Sequence, residues 1–212
     1  MSDPVRAETV GGIATITLDS PENRNALSRA LVEGLEESLG AAIANDRARL
    51  IVLTGTGSVF CSGADLKDRG GGGPVAGPGG LVAILKKIWN SDKPVIGRIN
   101  GSTRAGGIGL VAACDIAVSV DSATFAFSEV RLGLIPAIIS VVILPKLGLT
   151  KAMELFLTGD TFDSAEAVRL GLLNAAVPAD TLDEGVGRYV GSILKGAPGA
   201  LGGCKRLVRE VP

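Results

Sequence analysis

Glu129 and the run of small residues upstream of it are the parts of this chain best suited to chemistry. Glu129 stands in Phe125-Ala126-Phe127-Ser128-Glu129-Val130-Arg131-Leu132-Gly133-Leu134-Ile135-Pro136. Most of these neighbours are apolar, and a carboxyl in such surroundings has its pKa raised towards the range useful for proton transfer. Upstream lie Ala105, Gly106, Gly107 and Gly109, which follow a strand-like run, Pro94 to Asn100, and precede an apolar helical run, Ile108 to Cys114. Glycines at a strand-to-helix turn permit unusual backbone angles and close approach by a ligand. The helix that follows offers free N–H groups and the positive end of its dipole. Such a turn can hold a developing oxyanion. An oxyanion site together with a proton-transfer carboxylate points to chemistry through an enolate. The alternative for Glu129 is a helix or strand-end carboxylate paired with Arg131.

Composition narrows the chemistry further. The 212 residues include no histidine, which excludes a Ser-His-Asp triad, a Cys-His pair and any zinc site needing imidazole. Acid–base work falls to Asp, Glu, Lys, Tyr, Cys or water. A net charge of −1 implies no broad attraction to nucleic acid or membrane. No stretch is apolar and long enough to span a bilayer, and Met1 to Glu8 lacks the basic and apolar regions of a secretory signal. Cys61, Cys114 and Cys204 are odd in number and far apart, which fits reduced thiols in a cytoplasmic protein.

The elements that must position these groups alternate between strand and helix. Val5 to Val10 and Ile13 to Leu18 read as strands about Gly11-Gly12. Ser28 caps a helix reaching about Asn45. Arg49 to Thr54 is a short apolar strand, and Gly55-Thr56-Gly57-Ser58 turns the chain without the Gly-Lys-Ser/Thr of a phosphate-binding loop. Arg69 to Gly80, nearly all Gly, Pro, Ala and Val, reads as a mobile loop. Leu81 to Trp89 is an amphipathic helix, and Val95 to Asn100 a strand. Asp115 to Val120 and Thr124 to Phe127 are further strands. Pro136 to Leu147 holds a helix interrupted or shaped near Pro145, and Lys151 to Leu157 is another. Ser164 caps a short helix ended by Gly171. Leu173 to Val177 is a last strand, followed by helices over Thr181 to Leu194 and Gly199 to Arg209. With no linker and no internal repeat, the chain reads as one α/β domain.

Three ordered stretches resemble the enoyl-CoA hydratase/isomerase, or crotonase, family. They are Phe60-Cys61-Ser62-Gly63-Ala64-Asp65-Leu66-Lys67, then Ala105-Gly106-Gly107-Ile108-Gly109-Leu110 with Ala113-Cys114-Asp115, then Ser128-Glu129-Val130-Arg131-Leu132-Gly133-Leu134-Ile135-Pro136. The resemblance implies the family's ββα spiral with C-terminal helices, over residues 1–212 as a single domain whose C-terminal helical part is incomplete. It implies an acyl-CoA thioester substrate, coenzyme A being part of the substrate rather than a separate cofactor, and no metal. Partners would be further copies of the chain in a trimer or a pair of trimers. By resemblance the Ala64 and Gly106 amides hold the thioester oxygen and Glu129 is the acid/base. Ser62, Ala64, Asp65 and Leu66 line the path of the adenine and pantetheine, with Arg24 and Ala26 beside it. Arg24 either meets a phosphate or is a solvated arginine near a helix start.

The chain departs from the family at one place. Typical hydratases of the family place water between two glutamates; Glu129 matches the second, but the first falls at Gly109. The resemblance implies an enoyl-CoA hydratase, some similar members acting on branched acyl groups. The alternatives are an enoyl-CoA isomerase using Glu129 alone and a non-catalytic acyl-CoA-binding protein.

Overall fold

The computed structural model describes residues 3–65 and 80–211. The reading of Arg69 to Gly79 as a mobile loop, and the places of Leu66 and Lys67, lie outside the described residues. Gly80, read as the end of that loop, instead opens a helix.

Two sheets organise the molecule. The larger has six strands in the order β1 (Val5–Val10), β2 (Ile13–Leu18), β3 (Leu50–Gly55), β5 (Val95–Ile99), β7 (Ile116–Val120) and β10 (Ala175–Val177). The β1 and β2 pair is an antiparallel hairpin, and every later neighbour is parallel. β3 is buried at every position, as expected for a parallel strand covered on both faces. The smaller sheet runs β4 (Val59–Cys61), β6 (Ser102–Arg104), β8 (Thr124–Ala126) and β9 (Phe162–Asp163), parallel except for the last pair.

Helix α1 (Arg29–Ala44) begins where the sequence signals it. Ser28 Oγ accepts from the Leu31 amide at 3.3 Å, and Leu31, Leu35, Leu39 and Ala42 turn one face to the core. α2 (Gly80–Asn90) buries Leu81, Ile84, Leu85 and Ile88 in the same way. α3 (Gly106–Ala113) is different: it is buried on all sides from Gly107 onward, against α2 and α4 (Ala137–Thr158). α5 (Ser164–Arg169), α6 (Leu182–Ile193) and α7 (Pro198–Glu210) follow.

Several expectations need correction. The two helices expected over Pro136 to Leu147 and Lys151 to Leu157 are the halves of α4, which breaks at Gly148, with φ 70° and ψ 167°; Pro145 stays within the helix and does not interrupt it. Only glycine adopts that backbone cheaply, so the break falls where the side chain is missing. The N-cap of α5 is Asp163, whose carboxylate accepts from the Glu166 amide at 2.8 Å. Ser164 instead donates towards the carbonyls of Val120 and Ala123. β6 and β9 were not expected, because strands of three and two residues carry no alternation to read.

α7 is tied to the sheet by one carboxylate. Asp115, between α3 and β7, accepts from the Val95 amide, Lys205 Nζ and Arg209 Nη2, each at 2.7 Å. Both cations are largely buried, with 9 % and 17 % of their side chains exposed. The Arg209 guanidinium also lies 4.2 Å over the Trp89 ring. Asp115→Ala strands two half-desolvated cations, and removing one partner of such a pair costs about 3–5 kcal/mol. Urea unfolding of the variant should show that loss; a shift within error would mean the cations rehydrate freely.

Candidate active site

The parallel strands β4, β6 and β8 deliver the candidate residues to one edge. Their register aligns Cys61 with Thr103, and Thr103 with Phe125. Three residues beyond that row, each strand has turned: Ala64 follows β4, Gly106 follows β6, and Ser128 follows β8 with Glu129 next. The carboxyl ends of neighbouring parallel strands are where a crevice for a ligand forms. Fold topology thus gathers residues that lie far apart in sequence.

The first two turns touch. A Cβ at Gly63 would meet the Ala105 Cβ and the Arg104 carbonyl oxygen, both at 3.0 Å. A Cβ at Gly107 would meet Cys61 Cβ at 2.8 Å and its carbonyl oxygen at 2.9 Å. The glycines therefore serve close packing of one turn on the other. The unusual backbone angle expected of them belongs to Ala105, with φ 47° and ψ −122°. A non-glycine residue there costs about 1–3 kcal/mol and persists only where its surroundings hold it. Here the Ala105 amide donates to the Ala126 carbonyl at 3.1 Å, and its carbonyl accepts from Ile108 at 2.8 Å. That twist sets the peptide plane of Gly106. Among the described residues, no protein acceptor takes the Ala64 or Gly106 amide. Both residues are accessible, Ala64 being exposed and Gly106 half-buried.

A loop supports the Ala64 turn from the other side. The Leu27 amide donates to the Gly63 carbonyl at 2.8 Å, and the Ser62 amide to the Arg24 carbonyl at 3.1 Å. Arg24, Ala26, Ser62, Ala64 and Asp65 are thereby brought together. Ala26 is buried, and Arg24 is exposed. Asp65 accepts from Asn23 Nδ2 at 2.7 Å. The loop is fixed by Asn25, a positioning residue the sequence reasoning passed over. Asn25 is fully buried at φ 50°, donates to the carbonyls of Thr56 and Val59, and accepts from the Ser20 amide. Its signal was available: Asn tolerates the left-handed region and carries both donor and acceptor for such a role.

Glu129 sits in a short 3-10 turn, Ser128–Leu132, immediately after β8. That strand is pinned by four of the chain's five phenylalanines. Phe125 and Phe127 stack on Phe162 at 5.7 and 6.0 Å, and Phe127 meets Phe156 edge-on at 4.8 Å. The carboxylate itself is half-buried, and its Oε2 is buried with no hydrogen-bond partner among the described residues. Burial pushes the Glu129 pKa up from the ordinary 4.5, opposed by a weaker hydrogen bond from its own backbone. Arg131 does not neutralise it, since that guanidinium reaches Asp160 at 3.2 Å. Glu129 does stand just past a strand end, but the alternative pairing with Arg131 is not what the structure adopts.

A carboxyl whose folded pKa is raised stabilises the fold below its unfolded pKa, and that stability is lost as pH rises through the folded value. Glu129→Gln should therefore melt above wild type near about pH 8, the gap closing towards about pH 4. Thermal melts across that range check it; a variant less stable at the upper end would mean that the carboxylate is solvated or paired.

Over most of its length the chain is similar to known proteins. The chain is 35% identical over 219 aligned residues to a carnitinyl-CoA dehydratase of Citrobacter koseri, covering 99% of this chain and 81% of that protein. It superposes on a crystal structure of an enoyl-CoA hydratase from Mycobacterium avium with a TM-score of 0.85 at 38% identity, covering 98% and 82% of the two chains. An enoyl-CoA hydratase from Mycobacterium smegmatis gives a TM-score of 0.92 at 29% identity, covering 99% and 83%. The family model for enoyl-CoA hydratase/isomerase matches residues 8–210. From the motifs, the fold and these matches together, the chain belongs to the enoyl-CoA hydratase/isomerase, or crotonase, family.

Proposed function

We propose that this protein is an enoyl-CoA hydratase that works with a single carboxylate. The thioester carbonyl oxygen accepts from the Ala64 and Gly106 amides. Glu129 takes a proton from water as the water oxygen bonds to C3. The electron pair of the C2–C3 double bond moves towards the carbonyl, giving an enolate on the two amides. Glu129 then gives its proton to C2, and the carbonyl re-forms. Arg24, Ala26, Ser62 and Asp65 line the approach of the coenzyme A portion of the substrate. The observation that carries this reading is the buried Glu129 oxygen, unpartnered among the described residues, on the same strand edge as two amides that likewise have no protein acceptor there.

A second reading, movement of the double bond of a 3-enoyl-CoA, needs only a proton shuttle and no placed water. The absence of a side chain at Gly109 favours it. Mass spectrometry of products from a 2-enoyl-CoA and a 3-enoyl-CoA separates the two. Gain of one water by the 2-enoyl substrate supports the hydratase. Conversion of the 3-enoyl substrate alone, without mass change, supports the isomerase, and no change in either leaves an acyl-CoA-binding protein.

The same reading includes self-association as a trimer or a pair of trimers. The exposed apolar face of α4, with Val141, Leu149, Met153 and Leu157, offers surface for it. Light scattering that returns a monomer at working concentration would remove this part.

A further inference from the structure

Gly109 lies one helical turn along α3 from Gly106 and faces the same side of it. A Cβ at Gly106 would meet Leu81 Cδ2 at 3.1 Å, and one at Gly109 would meet Leu85 Cδ2 at 3.7 Å, these leucines being one turn apart on α2. The space that a side chain at 109 needs is already taken. Ile139, in the first turn of α4, has its Cβ 3.0 Å from where the Gly109 Cβ would stand, and its Cγ2 overlaps that point. Ile139 is only 2 % exposed. Close-packed interiors give such an overlap no room to relax, so the bare α-carbon at 109 and the branched side chain at 139 are reciprocal.

We propose that Ile139 is a specificity-determining residue, its side chain seated on Gly109 so as to close the α3 side of the bound acyl group to water and to any second polar group. This rests on the acyl-CoA reading above. Leu81, Leu85 and Ile139 make that wall apolar, and an apolar wall offers water no partners. Glu129 is then left alone to hold water and to move the proton. The enolate returns its proton to carbon more often than a site with polar groups on both sides would allow.

Three variants test it: Gly109→Glu, Ile139→Ala, and the two together. Three quantities are read: melting temperature, deuterium incorporation at C2 of a 3-enoyl-CoA in D2O, and water addition to a 2-enoyl-CoA. Gly109→Glu alone should melt lower than wild type and slow both reactions, because its Cβ collides with Ile139. Adding Ile139→Ala should recover most of the melting temperature. It should also raise water addition relative to deuterium incorporation by at least about tenfold over wild type. A double variant that stays as unstable as Gly109→Glu would overturn the reciprocal packing. One that regains its stability with an unchanged ratio of the two rates would overturn the role in specificity. If wild type incorporates no deuterium and adds no water, the catalytic reading above itself fails and this inference goes with it. Retained wild-type chemistry with an unchanged ratio condemns the inference alone.

Discussion

Glu129→Gln should lower turnover of an enoyl-CoA by about 10²–10⁴-fold, the usual contribution of a positioned acid/base. The amide keeps the shape of the carboxyl, with nitrogen in place of one oxygen, so the Phe125, Phe127, Phe156 and Phe162 cluster at the end of β8 should not be disturbed. It cannot take a proton from water or from C2. Binding should survive, seen as an unchanged rise in melting temperature when a saturated acyl-CoA is added. The wild-type pH profile carries a second mark of the same residue. Because burial raises the Glu129 pKa, the acidic limb of kcat/KM should lie above the ordinary carboxylate range and vanish from the residual rate of Glu129→Gln. Wild-type turnover by the glutamine variant would move the chemistry to another group. Loss of binding together with turnover would make Glu129 a substrate contact rather than the base.

The sequence was most legible where a local signal and a tertiary need coincide. β2 alternates cleanly after Gly11-Gly12, and both glycines adopt positive φ as the hairpin requires. Ser28 caps α1 because its hydroxyl has a backbone donor to satisfy at once. Glu129 was legible in type and in environment, since Phe125 and Phe127 announce an apolar setting before any contact is known. β6 was not legible. Ser102, Thr103 and Arg104 have neither length nor alternation, and they form a strand only because β4 and β8 supply partners on both sides. Yet β6 is the strand that aims Gly106. The strained angle was assigned to the wrong residue for a similar reason. Composition points to the glycines, but the twist at Ala105 is imposed by the Ala126 carbonyl from the next strand. The packing role of Ile139 was not legible, because it is one apolar residue in an apolar helix until α4 is seen lying on α3.

Removal of the Gly106 amide is the other large effect expected. Gly106 is the first residue of α3, a position where proline forfeits no intrahelical hydrogen bond. A Cβ there presses on Leu27 Cδ1 at 2.9 Å and Leu81 Cδ2 at 3.1 Å, the far ends of two flexible side chains. Gly106→Ala makes those same contacts and keeps the N–H; Gly106→Pro makes them and loses it. The difference between the two variants therefore isolates the donor, apart from the strain that proline adds at Ala105, whose ψ of −122° is not one a residue before proline prefers. Circular dichroism and melting temperature of both variants report that strain directly. One donor of an oxyanion site contributes about 10²–10³ in kcat, so Gly106→Pro should fall that far below Gly106→Ala while still binding a saturated acyl-CoA. The Ala64 amide would remain, which is why the loss should stop short of complete inactivity. Equal kcat in two folded variants would show that the oxygen is held elsewhere. The strained Ala105 turn would then be a packing device, joining β6 to α3 beneath Gly63.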